Sequence, residues 1–211
     1  MAAGADGQIE QAWAAAVDVL MHNARGPCGG LPRTAGWGYP EPYTRDLMLC
    51  MPGFVVSRRP ELLACGRRVL EVLADHQTPR GHIPSLVHDP GDLGASDTTP
   101  LFLLGLAVYR RACGRPRFLA GPARRALNWM LHQSPDDSLM VAQQPTSDWR
   151  DEQWVPGFGL YVNSLWHAVL RLYGLRAQAD RLAALINGCL LYTSDAADDL
   201  LCVDLGGRRI I

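Results

Sequence analysis

Apolar residues recur along this chain with helical spacing. The first set shares one face of a predicted helix at i, i+3 and i+4 positions: Ile9, Ala12, Trp13, Ala16, Val17 and Leu20. Six further segments have a similar apolar pattern and are predicted as helices: 47–56, 61–76, 101–112, 118–131, 160–173 and 178–186. No stretch alternates convincingly between apolar and polar residues with period two. The sequence therefore predicts an all-α fold.

Three long connections rich in glycine and proline separate these helices, at 24–44, 77–96 and 133–158. Connections of this length between packed helices usually carry function rather than simple chain reversal. The chemically distinctive residues fall in these linkers and at the helix starts that follow them. We therefore expect an array of helical hairpins with a functional site in the loops at one end.

Charge and composition exclude several classes of protein. The 211 residues carry a net charge of −1, and all 20 basic residues are arginine. Without a basic excess, a nucleic-acid partner is not expected. No run approaches the roughly 18 apolar residues of a membrane span, and the N-terminal segment lacks the features of a secretory signal. The six cysteines form no C-x-x-C pair, which favours buried thiols in a cytoplasmic protein without a metal or cofactor.

The last 23 residues, 189–211, differ from the rest of the chain in composition. Residues 189–198 resemble the translation of a transposase mosaic end used in sequencing libraries, and 203–211 resemble the outer part of the same adapter. We therefore expect residues 1–188 to be the native part and 189–211 to be an adapter-derived tail on a truncated, metagenomic-type sequence. On this expectation the chain is a fragment.

The first cluster of candidate site residues surrounds the start of the second helix. Trp37 and Tyr39 precede the pair Arg45 and Asp46. Aromatic faces stack on sugar rings, and fixed guanidinium and carboxylate groups hold hydroxyls, so this cluster is typical of a carbohydrate site. The alternative is an Asp46 that caps the helix beside an exposed Arg45.

The two later clusters also fall where a loop enters a helix. Asp97 precedes a nearly all-apolar helix, where it is either an N-cap or a general acid whose pKa is raised by desolvation. Trp149 and Asp151 lie in the loop before a helix that carries Asn163. A buried asparagine there needs hydrogen-bond partners, which a polyhydroxylated ligand could supply.

Taken in order, these clusters resemble the glucosidase (amylo-α-1,6-glucosidase) domain of glycogen debranching enzymes, over about residues 36–173. That family has G-Y-P, R-D and P-G, then an I-P loop leading to A-D-A-[TS], then W-x-D and a V-E-x-N-A-L-W helix. The counterparts here are Gly38-Tyr39-Pro40, Arg45-Asp46, Pro52-Gly53, Ile83-Pro84, Ser96-Asp97-Thr98, Trp149-Arg150-Asp151 and Val162-Asn163-Ser164-Leu165-Trp166.

The resemblance implies part of an (α/α)6 toroid of the six-hairpin glycosidase type and an inverting hydrolysis of α-glucosidic bonds. It implies Asp97 as the general acid and an oligosaccharide or glucoside as the substrate. The residues that would hold the sugar are Trp37, Tyr39, Arg45, Asp46, Trp149, Asp151 and Asn163. An inverting enzyme also needs a basic carboxylate. In the family this base lies beyond the matched region, so we expect the fragment itself to be inactive.

Departures from the family pattern leave other functions open. Tyr161 replaces the glutamate of the family helix, and Pro100-Leu101 stands near the position of its aromatic pair. The alternatives are a non-catalytic carbohydrate-binding helical scaffold, an invertase-like hydrolase and a sugar epimerase. Epimerases of this shape use inward-facing histidines, and in the candidate cluster at residues 81–85 the one histidine is His82.

Overall fold

The computed structural model describes residues 2–191 except 37, 90, 93, 150–153 and 155, with only the backbone of 2–6 and 191. In this part of the chain the fold is all-α, as predicted, and the seven predicted helices are all present. They are α1 (Ala2–Asn23), α2 (Thr44–Ser57), α3 (Pro60–Asp75), α4 (Thr98–Ala112), α5 (Ala120–Leu131), α6 (Leu160–Leu172) and α7 (Arg176–Leu185). A short π-helical segment, Ile186–Leu191, follows α7 and contains the predicted boundary of the tail.

Alternate helices form a row. α4 packs between α2 and α6, while α3 packs on α2 and α4, α5 packs on α4, and α7 packs on α6. Side chains at the N-terminal ends of α2, α4 and α6 contact one another directly through Arg45, Asp97 and Tyr161. The three helices of the row therefore begin at the same end of the molecule, where the loops that precede them also meet.

The core lies between the row of α2, α4 and α6 and the helices packed on it, which are α3, α5 and α7. Phe54, Leu70, Phe102 and Trp166 are among its largest fully buried side chains. Each contributes apolar area removed from water at roughly 25 cal/mol per Å², which is the main favourable term in folding. Trp166, from the family-like motif of α6, belongs to this core. The tight packing holds the helix ends, and thus the site, in place.

The first helix departs from the predicted pattern of burial. Its apolar stripe forms as a helical face, but Ile9 is 67% exposed and Trp13 is 50% exposed. Among the described side chains of α1, those that pack against the core are Leu20 and Met21, at its C-terminal end. Helical periodicity predicts which residues share a face but not whether another element covers that face.

The cysteines are less buried than the sequence predicted. Cys28, Cys50, Cys65 and Cys113 are half-buried and not disulfide-bonded, Cys189 is exposed, and Cys202 lies outside the described residues. Burial raises the pKa of the Cys65 thiol to about 11. A thiol with this pKa stays protonated at neutral pH and is a weak nucleophile.

No described helix is both long enough and apolar enough to cross a membrane.

Candidate functional site

The loop between α3 and α4 is bonded to the start of both neighbouring row helices. The Thr44 hydroxyl donates to the Pro84 carbonyl at 2.7 Å, and the Thr44 N–H donates to the Ser85 carbonyl at 2.9 Å. From the other side, the Thr98 hydroxyl donates to the Ile83 carbonyl at 2.6 Å. Residues 83–85, the I-P segment of the sequence motif, thus join the N-terminal ends of α2 and α4.

A buried ion pair links the first and second sequence clusters. Arg45 Nε donates to Asp97 Oδ2 at 2.6 Å, and a terminal nitrogen of Arg45 lies 3.3 Å from Oδ1. The Tyr161 hydroxyl donates to Asp97 Oδ2 at 3.2 Å. The Asp97 side chain has no exposure to solvent, whereas the Arg45 side chain keeps 18%. Arg45 is thus partly exposed to solvent and contacts the buried carboxyl group of Asp97.

Asp97 is not a side-chain cap of α4, because its carboxylate makes no capping hydrogen bond to the helix. Burial is the largest influence and raises its pKa; the bond and charge of Arg45 and the Tyr161 hydroxyl lower it, and the nearby charge of Asp148 raises it. The net result is a pKa above the usual value. Burial and the charge of Asp97 also raise the pKa of Tyr161, so its hydroxyl stays a donor.

A second buried carboxylate, Asp148, lies near Asp97. It is 2% exposed, and the Gln143 side-chain amide donates to its Oδ2 at 2.8 Å. The loop that carries Asp148 is fastened to the loop before α4: the Ser96 N–H donates to the Ser147 carbonyl at 2.7 Å, and the two hydroxyl oxygens lie 2.7 Å apart. These contacts bring both carboxyl groups into one cluster.

Two adjoining cavities lie beside this cluster. The first, of about 310 Å³, is lined by Tyr43, Arg45, Ser85, Asp89 and Thr98 among others. The second, of about 500 Å³, is lined by His82, Ser96, Trp129, Gln133 and Ser147 among others. Gly94, Ala95 and Thr146 line both. The two cavities together offer hydroxyl, guanidinium and aromatic groups to a ligand.

His82 in the second cavity is held from two sides. Its Nδ1 lies 2.9 Å from the Thr99 hydroxyl, and its ring lies 5.0 Å from the Trp129 ring at a tilt of 35°. Gly94, with φ +75°, lies so close that a Cβ there would be 2.2 Å from His82 Nε2. The imidazole is therefore packed into the cavity wall.

Asn163 holds a loop in place. Its Oδ1 accepts from the Val141 N–H at 2.7 Å, and its Nδ2 donates to the Val141 carbonyl at 3.1 Å and to the Gly159 carbonyl at 2.9 Å. The side chain is fully buried. Its hydrogen-bond partners are thus backbone groups, which supply the bonds that the sequence analysis assigned to a sugar.

Replacing Asn163 with alanine is expected to destabilise the chain by about 2–3 kcal/mol, because it leaves buried backbone groups without partners. Urea unfolding followed by circular dichroism measures this loss. The matched control is Asn128→Ala at an exposed position of α5, where a change within about 0.5 kcal/mol is expected. A loss below about 1 kcal/mol for Asn163→Ala would contradict the structural role.

The structure places the other predicted residues less centrally. Tyr39 is 46% exposed, and its ring is stacked 5.6 Å from that of Tyr43, beside the first cavity. Asp46 lies in the first turn of α2, where its charge contributes to raising the pKa of Cys50. Trp149 is 58% exposed. Trp37 and Asp151 lie outside the described residues.

Asp148, Gln143 and Tyr161 were not predicted as site residues from the sequence. Tyr161 was noted only as a departure from the family helix, although that position is the one that contacts Asp97. Asp148 stands next to the selected Trp149, but nothing in its sequence context signals burial. Among the described residues, no group of three or more His, Cys, Asp or Glu is placed to hold a metal ion.

Comparison with known proteins returned no match to any family model, curated protein or solved structure.

Proposed function

We propose that this chain is part of an inverting glycoside hydrolase that acts on α-glucosidic bonds, with Asp97 as the general acid. The proposal combines the resemblance of the ordered motifs with their geometry. Arg45, Asp97 and Tyr161 come from three motif clusters that are far apart in sequence, and their side chains contact one another beside two cavities. A guanidinium, a carboxyl and a phenol group that meet beside a cavity are typical of an enzyme site built where loops enter helices.

The observation that carries the proposal is a carboxyl group buried directly behind an arginine that lines a cavity. Arg45 contacts both the cavity and Asp97, so a sugar entering the cavity meets Arg45 first. When Arg45 transfers its hydrogen bonds to sugar hydroxyls, Asp97 loses the interaction that keeps it charged. Its pKa, already raised by burial, then rises further. Asp97 takes up a proton from solvent through the space that Arg45 has left, and through the same opening it can give this proton to the leaving glycosidic oxygen.

Tyr161 and Asp148 are positioning residues in this proposal. The Tyr161 hydroxyl holds one oxygen of Asp97, and the Asp148 charge favours the protonated form of Asp97. The nucleophilic water needs a base on the opposite face of the sugar, about 6.5–9.5 Å from the acid in inverting enzymes. The resemblance assigns no residue of 1–188 to that role.

The packing of the helices supports the proposal that the all-α fold is part of an (α/α)6 toroid. In an (α/α)6 toroid, alternate helices form an inner ring whose N-terminal ends face the same side, as α2, α4 and α6 do here. The exposed stripe at Ile9 and Trp13 has an explanation in this arrangement. A further hairpin closing the ring would cover α1.

Calorimetric titration of the chain with glucose, maltotriose and the cationic glucose analogue 1-deoxynojirimycin tests the proposal. We expect maltotriose to bind and 1-deoxynojirimycin to bind at least about tenfold more tightly than glucose, because a site complementary to the transition state favours its analogues. Asp97→Asn should remove this preference and leave maltotriose binding intact. Circular dichroism of the variant checks its fold.

A carbohydrate-binding scaffold is the second candidate, favoured by one observation. Both oxygens of Asp97 accept hydrogen bonds within the protein, and the side chain has no exposure. If maltotriose binds with no preference for the cationic analogue, in the parent chain as in Asp97→Asn, the scaffold explains the data and the hydrolase proposal fails. If no glucose-configured ligand binds at millimolar concentration, both candidates fail.

A further inference from the structure

A separate cleft opens between the turn at residues 78–81 and helix α5. Its volume is about 720 Å³, which makes it larger than either cavity at the candidate site. Arg80 lines one wall, and Arg124, Arg125, Trp129 and His132 line the other. We call this the arginine cleft. The proposed function assigns no role to it.

The arginine cleft is lined by three guanidinium groups, those of Arg80, Arg124 and Arg125. Among the described residues, no carboxylate forms an ion pair with Arg80, Arg124 or Arg125. In the described part of the chain, the one side-chain hydrogen bond made by these three arginines runs from Arg125 Nε to the neutral Gln77 amide oxygen, at 2.9 Å. Residues 98–135 contain six arginines and no aspartate or glutamate. Arg80, Arg124 and Arg125 therefore place three positive charges at the cleft, within a chain whose net charge is −1.

We propose that the arginine cleft binds the phosphate monoester group of a small molecule. Guanidinium groups lining one cleft suit a dianionic oxyanion, because each can give two parallel hydrogen bonds to its oxygens. Trp129 adds an apolar ring face to the same wall and is half-buried. A ligand with a ring and a phosphate, such as a phosphorylated sugar, matches both features.

The arginine cleft adjoins the second cavity of the candidate site. Trp129 and Gln133 line both spaces. A ligand anchored by its phosphate can therefore extend past Trp129 towards His82 and Ser147. The proposal depends on the charge and shape of the cleft, and it does not depend on Asp97 acting as an acid.

Calorimetric titration of the full chain with inorganic phosphate, glucose 6-phosphate and glucose tests this proposal. We expect glucose 6-phosphate to bind more tightly than inorganic phosphate, and glucose to bind at least about tenfold more weakly than its phosphate ester. Binding should weaken as sodium chloride increases, because salt screens exposed charges. The double variant Arg80→Gln, Arg124→Gln should lose at least about tenfold in affinity.

The matched control is Arg176→Gln, which removes one positive charge at an exposed position of α7, and its affinity should equal that of the parent chain. Thermal unfolding shows whether the double variant is folded; if it is not, Arg124→Gln alone replaces it. Equal affinity for glucose and glucose 6-phosphate would overturn the proposal. So would an equal loss in the control, or binding of a short RNA when neither phosphate ligand binds.

Discussion

Replacing Arg45 with alanine is expected to destabilise the folded chain by about 3–5 kcal/mol at pH 8, and by much less at pH 4. The larger value is typical of removing one partner from a buried ion pair, because the remaining charge stays without compensation. Here that charge is Asp97, which has no exposure to solvent. Only the Tyr161 hydroxyl, at 3.2 Å, would remain of its described hydrogen-bond donors.

The pH dependence follows from the pKa of Asp97. This pKa already lies above the ordinary value of 3.8, because burial outweighs the opposing effects of Arg45 and Tyr161. Without Arg45 it rises further. Consider a carboxyl group whose pKa is higher in the folded than in the unfolded state. It stabilises the fold at a pH below its pKa in the unfolded state, and this stabilisation is lost as the pH rises through its pKa in the folded state. The variant should therefore lose stability, relative to the parent, from about pH 4 upwards.

Urea unfolding of the parent and Arg45→Ala chains at pH 4, 6 and 8 measures this effect. The double variant Arg45→Ala, Asp97→Asn should recover much of the loss at pH 8, because it no longer buries an unpaired charge. Arg176→Ala, at an exposed site of α7, is the control and should change stability by less than about 0.5 kcal/mol. A loss that is the same at pH 4 and pH 8 would show that Arg45 acts through packing instead.

Replacing Gly81 with alanine is expected to cost about 3–5 kcal/mol, combining backbone strain with overpacking. Gly81 has φ +108°, and a Cβ there would lie 2.1 Å from the Arg125 carbonyl oxygen. That oxygen belongs to the backbone of α5 and cannot rotate away. The turn at Gly81 leads directly into His82 and Ile83, so the substitution should also disturb the second cavity.

The control for Gly81 is Gly29→Ala, which separates strain from collision. Gly29 also has a positive φ, +57°, but nothing lies within 4 Å of its Cβ position. Its substitution should cost only about 1 kcal/mol. Thermal and urea unfolding of both variants provide the comparison. An equal loss of unfolding free energy in the two variants would mean that α5 can move away from the new Cβ, and that the turn at Gly81 does not pack against α5 as described.

Part of the candidate site could be predicted from sequence. Arg45 and Asp97 were selected because their clusters follow the order of the debranching-enzyme motifs, although each cluster alone also fits an ordinary helix start, and the structure brings these two residues together. Asn163 was expected to be buried and bonded, which it is, but its partners are the backbone groups of Val141 and Gly159. A sequence shows that a buried amide needs partners and does not show which groups supply them.

The choice among carboxylates in the third cluster could not be made from sequence. Asp148 and Asp151 both stand in the predicted linker 133–158, three positions apart. Asp148 is buried because the contact between Ser96 and Ser147 draws its segment against the start of α4. That contact joins residues about fifty positions apart, so the local sequence around Asp148 does not indicate that its side chain is buried.

By itself, the sequence determined the described helices and their order, since periodicity of apolar residues and the turn chemistry of Gly and Pro act over a few neighbouring residues. It also determined that the unusual polar residues stand where loops enter helices. Only the tertiary structure decided that Arg45 and Tyr161 meet at the buried Asp97 and that Ile9 and Trp13 of α1 are exposed. Burial and pairing depend on which distant segments pack together, and that information is a property of the folded chain as a whole.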